Sequence, residues 1–130
     1  MSGLGYRFRN GVQATLWGMK AIFPHIKDRG GKIINSLRKF GMTGFEGAAA
    51  CNGNNEAIRG LSRTAAREWG RYGINVKVIT PLMRTDAQRT DPVGMKAMIQ
   101  SVPMRRLGDP LRDAGWLPYS CPQNPLIRRA

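Results

Sequence analysis

Two short β-branched runs frame a stretch of helical apolar spacing, and that order constrains the fold more than any other feature of the chain. The runs are Lys32-Ile33-Ile34-Asn35-Ser36-Leu37 and Ile74-Asn75-Val76-Lys77-Val78-Ile79. Gly30-Gly31 precedes the first, Gly73 precedes the second, and Thr80-Pro81 ends it. Short apolar runs bounded in this way read as strands, the first of them expected to be buried on both faces. Between them Ile58, Leu61, Ala65 and Trp69 recur at spacings of three or four, which lines one side of a helix near 50–72. Gly70 and Gly73 are expected to close that helix. A strand, a helix of this length and a second strand form a βαβ unit, with parallel strands and a right-handed crossover.

A second helical pattern precedes this unit. Val12, Leu16, Met19, Phe23 and Ile26 fall on one face, and Lys27-Asp28-Arg29-Gly30-Gly31 supplies a basic last turn and a glycine stop, placing a helix over 12–28. Residues 40–55 carry Gly41, Gly44 and Gly47 and read as a loop entering the long helix. On that helix Arg59, Arg63 and Arg67 form a separate stripe at spacing four, taken as a solvated face in preference to a phosphate-binding one. Beyond Pro81 the signals weaken. A short helix is expected over 92–101, another after Asp109-Pro110, and an irregular tail over 118–130, where Pro118, Pro122 and Pro125 fall.

At 130 residues, the chain is expected to form a single domain over 1–130. A hydrophobic fraction of 42% argues against wholesale disorder. Twenty-one Lys+Arg against eight Asp+Glu give a net charge of +13, a balance that can signal nucleic acid or an anionic membrane surface. The basic residues are dispersed, however, the tightest groups being Arg38-Lys39, Arg105-Arg106 and Arg128-Arg129, which argues against a dedicated nucleic-acid binder. Cys51 and Cys121 lie far apart without a metal-ligand spacing, and the lone His25 has no ligand beside it. This fits a reducing, cytoplasmic setting and no metal centre. Arg7 and Arg9 before an apolar stretch imitate a secretory leader, but Gln13 and Lys20 interrupt it and no small-residue cleavage site follows. No apolar segment approaches the length of a membrane span.

Three stretches read together resemble one family. They are Gly31-Lys32-Ile33-Ile34-Asn35, then Ala57-Ile58-Arg59-Gly60-Leu61-Ser62-Arg63-Thr64-Ala65-Ala66-Arg67-Glu68-Trp69-Gly70, then Ile74-Asn75-Val76 with Pro81. Pro103-Met104-Arg105-Arg106-Leu107-Gly108-Asp109-Pro110 adds a fourth. Over roughly 10–117 the chain resembles the short-chain dehydrogenase/reductase family. The resemblance implies an α/β fold, here a partial Rossmann domain: a doubly wound parallel sheet represented by one βαβ unit with flanking helices. The family binds NAD or NADP, with the pyrophosphate against a glycine-rich turn. In this chain Gly3-x-Gly5 lacks a third glycine at Phe8 and follows no strand, so no cofactor is expected to bind. By resemblance the chain starts at the family's fourth helix, and the expectation is a truncated protein in which both strands have lost a neighbour.

The resemblance also implies where the chemistry should be. The family transfers a proton with a tyrosine whose pKa is lowered by a lysine four residues later, and in register these positions are Cys51 and Asn55. A thiol is shorter than a phenol, and Asn55 has no charge with which to depress a neighbour's pKa. Loss of a positioned general acid costs roughly 10²–10⁴ in rate. The family's serine position is Arg38, with Ser36 two residues earlier, and its asparagine position is Gly11, with Asn10 adjacent. No catalytic residue is therefore assigned. Thr85, four residues after Pro81, corresponds to a threonine that contacts the nicotinamide carboxamide and is the one cofactor-binding candidate. The leading reading is an oxidoreductase segment without activity of its own. The alternative is an interaction module self-associating through the 12–28 and 50–72 helices, which predicts a dimer without ligand. A basic nucleic-acid binder, marked by strongly salt-dependent affinity, is the remaining one.

Overall fold

The computed structural model describes residues 3–84 and 92–113. Cα packing divides the chain into two compact units at Thr80–Pro81. In the first, α1 (Gly3–Phe8) runs into a π-helical turn over Arg9–Gln13 and on into α2 (Ala14–Ile26). Then follow β1 (Gly31–Ser36), a one-turn α3 (Phe40–Thr43), the long α4 (Ala49–Trp69), a 3₁₀ turn over Gly70–Tyr72 and β2 (Ile74–Ile79). The second holds α5 (Pro92–Gln100) and α6 (Pro110–Asp113).

The βαβ unit is present as its spacing predicts. β1 and β2 pair in parallel, with Gly31 opposite Ile74 and Ser36 opposite Ile79. Ile33, Asn35, Val76 and Val78 share one face by strand alternation, and α4 packs on that face. Its Ile58, Ser62 and Ala65 are buried with Met19 and Ile26 of α2, with Leu37 and with Ile74. Two polar groups enter this core and satisfy each other. Asn35 Nδ2 donates to Ser62 Oγ at 2.8 Å, and Ser62 Oγ donates to the Ile58 carbonyl at 2.8 Å. Buried polar groups are tolerated when paired in this way.

Three local expectations need correction or refinement. β1 is not buried on both faces: Lys32 and Ser36, which share the face away from α4, are exposed. Gly70 caps α4 as expected but keeps a helical φ of −54°, so the path runs on as the 3₁₀ turn, and the left-handed stop comes at Gly73, whose φ of 69° carries no Cβ penalty. The arginine stripe is not uniformly solvated, because Arg63 and Arg67 are exposed but the Arg59 side chain is only 16% accessible. The helix expected over 12–28 ends at Ile26 and its helical path begins earlier, at Gly3. Aromatic packing closes the lower end of the unit, with Phe23 stacked on Trp69 at 4.7 Å and edge-on to Tyr72 at 5.5 Å.

The second unit is small. Met83 and Gly108 form an isolated parallel bridge, with Arg84 N donating to Gly108 O and Gly108 N donating to Leu82 O. Asp109 caps α6: its Oδ1 accepts from the Leu111 and Arg112 amides, while Asp113 Oδ2 reaches back to the Asp109 amide at 2.8 Å. Pro110 occupies the first helical position, where its missing N–H has no intrahelical partner to lose.

Candidate functional site

The site is built where the first turns of α4 meet the end of β1 and the π-helical turn. A π-helical turn inserts one extra residue into a helix and misaligns its hydrogen-bond ladder. Here the misaligned segment is met by Asn54 of α4, whose Oδ1 accepts the Val12 amide at 3.1 Å. Gly11 makes this approach possible: a Cβ at that position would collide with the Asn54 amide.

The next residue on α4 makes the second connection. Asn55 is buried, at 6% exposure. Its Oδ1 accepts the Arg38 amide at 2.8 Å, just past the end of β1. Its Nδ2 donates to the Cys51 carbonyl at 2.6 Å and lies 3.3 Å from Cys51 Sγ. One amide thus joins the turn after β1 to the first turn of α4. Two more bonds order the loop between them: Asn52 Nδ2 donates to the Phe45 carbonyl at 3.0 Å, and Phe40 and Phe45 stack at 4.6 Å. Gly44 and Gly47, with φ of 63° and 74°, make the left-handed turns that let this loop reach α4.

The four positions singled out by the resemblance are therefore linked through consecutive asparagines. Asn54 sits against Gly11, while Asn55 joins Arg38 and Cys51 directly. Ser36, the displaced serine, is exposed and makes no bond to this cluster among the described residues. Thr85 lies outside the described residues. Sequence reasoning missed Asn54 altogether, and no spacing rule would have found it, because its partner is a backbone amide freed by a local helix irregularity.

The hydrogen bonds of the cluster join neutral groups, while Asn52 Oδ1 is buried without a hydrogen-bond partner among the described residues. It presents amide groups and one thiol, with no carboxylate, imidazole or ammonium group in its hydrogen bonds. Among the described residues no group of three or more His, Cys, Asp or Glu is disposed to hold a metal ion, and no helix is long and apolar enough to cross a membrane.

Residues 8–94 match the family described as short chain dehydrogenase. A 12alpha-hydroxysteroid dehydrogenase of a Clostridium species is 37% identical over 110 residues, covering 82% of this chain and 42% of that protein. A solved structure described as a short-chain alcohol dehydrogenase from Sinorhizobium meliloti 1021 superimposes with a TM-score of 0.74 at 24% identity, over 84% of this chain and 45% of the other. ElxO with NADP bound gives a TM-score of 0.72 at 22% identity, over 85% of this chain and 47% of the other. The two structures show a shared fold, and the chain spans less than half the length of each of these three proteins.

Proposed function

The chain belongs to the short-chain dehydrogenase family, and from that premise we propose that these 130 residues are an oxidoreductase segment that does not itself transfer hydride. The observation that carries this reading is the saturated amide of Asn55. The position that in the family holds a ribose-binding, pKa-lowering lysine here holds a buried neutral group whose donor and acceptor are both spent on the backbone. Cys51, at the proton-transferring position, accepts from that amide and has no cation in its hydrogen bonds. General acid catalysis needs a group that can donate to the substrate oxygen and a neighbour that tunes it, and this pair supplies neither.

The residues present do not fit a nicotinamide dinucleotide. A pyrophosphate cradle needs a glycine-rich turn that leaves a strand and opens a helix with free amides. After β1 the chain runs through Leu37, Arg38 and Lys39, with the Arg38 amide already bonded to Asn55. After β2 it meets Thr80-Pro81, and proline donates no amide. NADP is bound by ElxO; for this chain alone we expect no saturable enhancement of NADH or NADPH fluorescence on titration. A saturable signal from the intact chain would overturn the reading.

A second reading, self-association through the 12–28 and 50–72 helices, is favoured by the surface of the first helical segment. Tyr6, Trp17 and Ile22 are 73%, 61% and 42% exposed on helices that lie beside α4. Large exposed apolar groups are common at contact surfaces. Sedimentation of the ligand-free chain should give a species heavier than the 14.4 kDa monomer; a monomer at every concentration would remove this reading and leave the first untouched.

A further inference from the structure

The helical path from Gly3 to Ile26 is a rod with one fault in it. Over Arg9–Gln13 it loosens into the π-helical turn, and the Ala14 amide bonds back five residues, to the Arg9 carbonyl. Such a turn takes in one extra residue. Each residue of a helix turns the side chains by about 100°, so the fault sets the rotation of α1 against that of α2. Glycine is a poor residue inside a helix, and Gly11 stands in the middle of this turn.

Two consecutive residues of α4 meet the rod on either side of the fault. Gly53 lies under Phe8, the last residue of α1: a Cβ on that glycine would stand 3.7 Å from Phe8 Cζ. Asn54 enters the turn itself. Its Oδ1 accepts the Val12 amide at 3.1 Å, and its amide group fills the space where a side chain at position 11 would begin. If the extra residue were absorbed and the path became regular, α1 would turn by about 100° and carry Phe8 off Gly53.

We propose that Asn54 is a latch: by holding the Val12 amide it keeps the π-helical turn in place, and the turn fixes the rotation of α1 against α4. Gly11 is the slot that admits the latch, which accounts for a glycine inside the helical path. The inference goes beyond the absence of hydride transfer, since it needs neither a cofactor nor any chemistry at Cys51. By resemblance the slot is the family's asparagine position, so any side chain restored there in this chain would displace Asn54.

Nuclear magnetic resonance on the full chain tests the latch. Asn54→Leu keeps the bulk and removes the acceptor. The Val12 amide should then exchange with solvent about tenfold faster, as loss of one hydrogen bond allows, and the nuclear Overhauser contact between Phe8 and Gly53 should disappear. Asn54→Asp keeps an acceptor of the same reach and should retain both signals. Gly11→Ala puts a Cβ into the slot and should act like Asn54→Leu, although alanine favours a helix more than glycine does. The two positions should not act additively: Gly11→Ala added to Asn54→Ala, where the slot is vacant, should leave Val12 exchange where Asn54→Ala alone puts it. The paired amides of β1 and β2 serve as the control and should stay protected throughout; if Asn54→Leu loses them too, Asn54→Ala takes its place with the same two readings. An acceptor-free variant that keeps both the slow Val12 amide and the Phe8–Gly53 contact overturns the proposal. So does a Gly11→Ala chain that matches the parent, or additive effects in the double variant.

Discussion

The two units on either side of Thr80–Pro81 are held by different forces. Up to Thr80 the buried contacts are mainly apolar or neutral: Ile58, Ala65 and Ile74 are buried against one another's elements, and Asn35, Asn55 and Ser62 pair amide to hydroxyl or side chain to backbone, with the Arg59–Glu56 ion pair on the flank of α4 as the exception. From Pro81 onward the described contacts are dominated by charge. Arg84 pairs with Asp109 at 3.0 Å, Arg106 with Asp113 at 2.7 Å, and both aspartates hold backbone amides. All four ionic side chains are at least a quarter exposed. Burial and neutral pairing are nearly indifferent to salt and acidity, whereas exposed ion pairs are screened by one and titrated by the other. The family's sheet and helix packing lies in the first kind of unit; that difference predicts which perturbations reach it.

The largest effect should come from the apolar centre of the first unit. Ile74 is 3% exposed at the start of β2. Ile74→Ala removes three carbons from a packed position and should cost about 2–5 kcal/mol. Leu111→Ala in the second unit, where the side chain is 98% exposed, should change stability by less than about 0.5 kcal/mol. Denaturant melts of the two variants check the contrast; comparable midpoint losses would show that the first unit is not organised around the β2 core.

Asn55→Ala should have an intermediate effect. It leaves the Arg38 amide and the Cys51 carbonyl without their side-chain partner, at a cost of about 1–3 kcal/mol, toward the lower end because Arg38 is exposed and water can reach its amide. The melt should report this loss, and amide exchange at Arg38 should quicken. A variant as stable as the parent would mean that the asparagine only occupies its position and does not bind the turn to α4.

These two positions differ in how far the sequence foretold them. Ile74 lies in a β-branched run with glycine before it and proline after it, so its strand and its parallel pairing follow from pattern alone. The same holds for Ile58 and Ala65, whose spacing fixes the inward side of α4. Asn55 could be placed only by register with a resemblance, which said what was absent and nothing of the bonds that replace it. Asn54 and the π-helical turn were illegible, because they depend on a backbone amide that a regular helix would have satisfied internally. Arg59 was misjudged for a related reason: spacing shows which residues share a stripe, but not that Arg59 is largely enclosed and lines a cavity with Val76 and Val78. Exposure of Lys32 and Ser36 corrects the expectation of a doubly buried strand, since β-branching reports strand formation and not the number of covered faces.

The smallest effect, and the most selective one, should come from acid. The Arg106 guanidinium, through its hydrogen bond, and the Asp109 amide hold the Asp113 carboxyl below its ordinary value. The Arg112 and Leu111 amides do the same for Asp109, with Arg84 adding to it. A carboxylate whose pKa is depressed by folding stabilises the folded state above its unfolded pKa, about 3.9, and loses that contribution as pH falls through the lower folded value. The cap of α6 should therefore hold down to about pH 4 and loosen below it. Because these carboxylates are solvent-exposed, the change should be local and should precede any global unfolding. Nuclear magnetic resonance can follow the amides through such a titration. Those of Asp109, Leu111 and Arg112 should shift with midpoints below about 4, while that of Arg38, bonded to the neutral Asn55, should stay in place. Asp113→Asn, which keeps an acceptor for the Asp109 amide but removes the charge facing Arg106, should shrink the Asp109 shift and leave that of Leu111. An Arg38 amide that moves together with the three others would erase the contrast between the neutral bonds of Asn55 and the charged cap of α6.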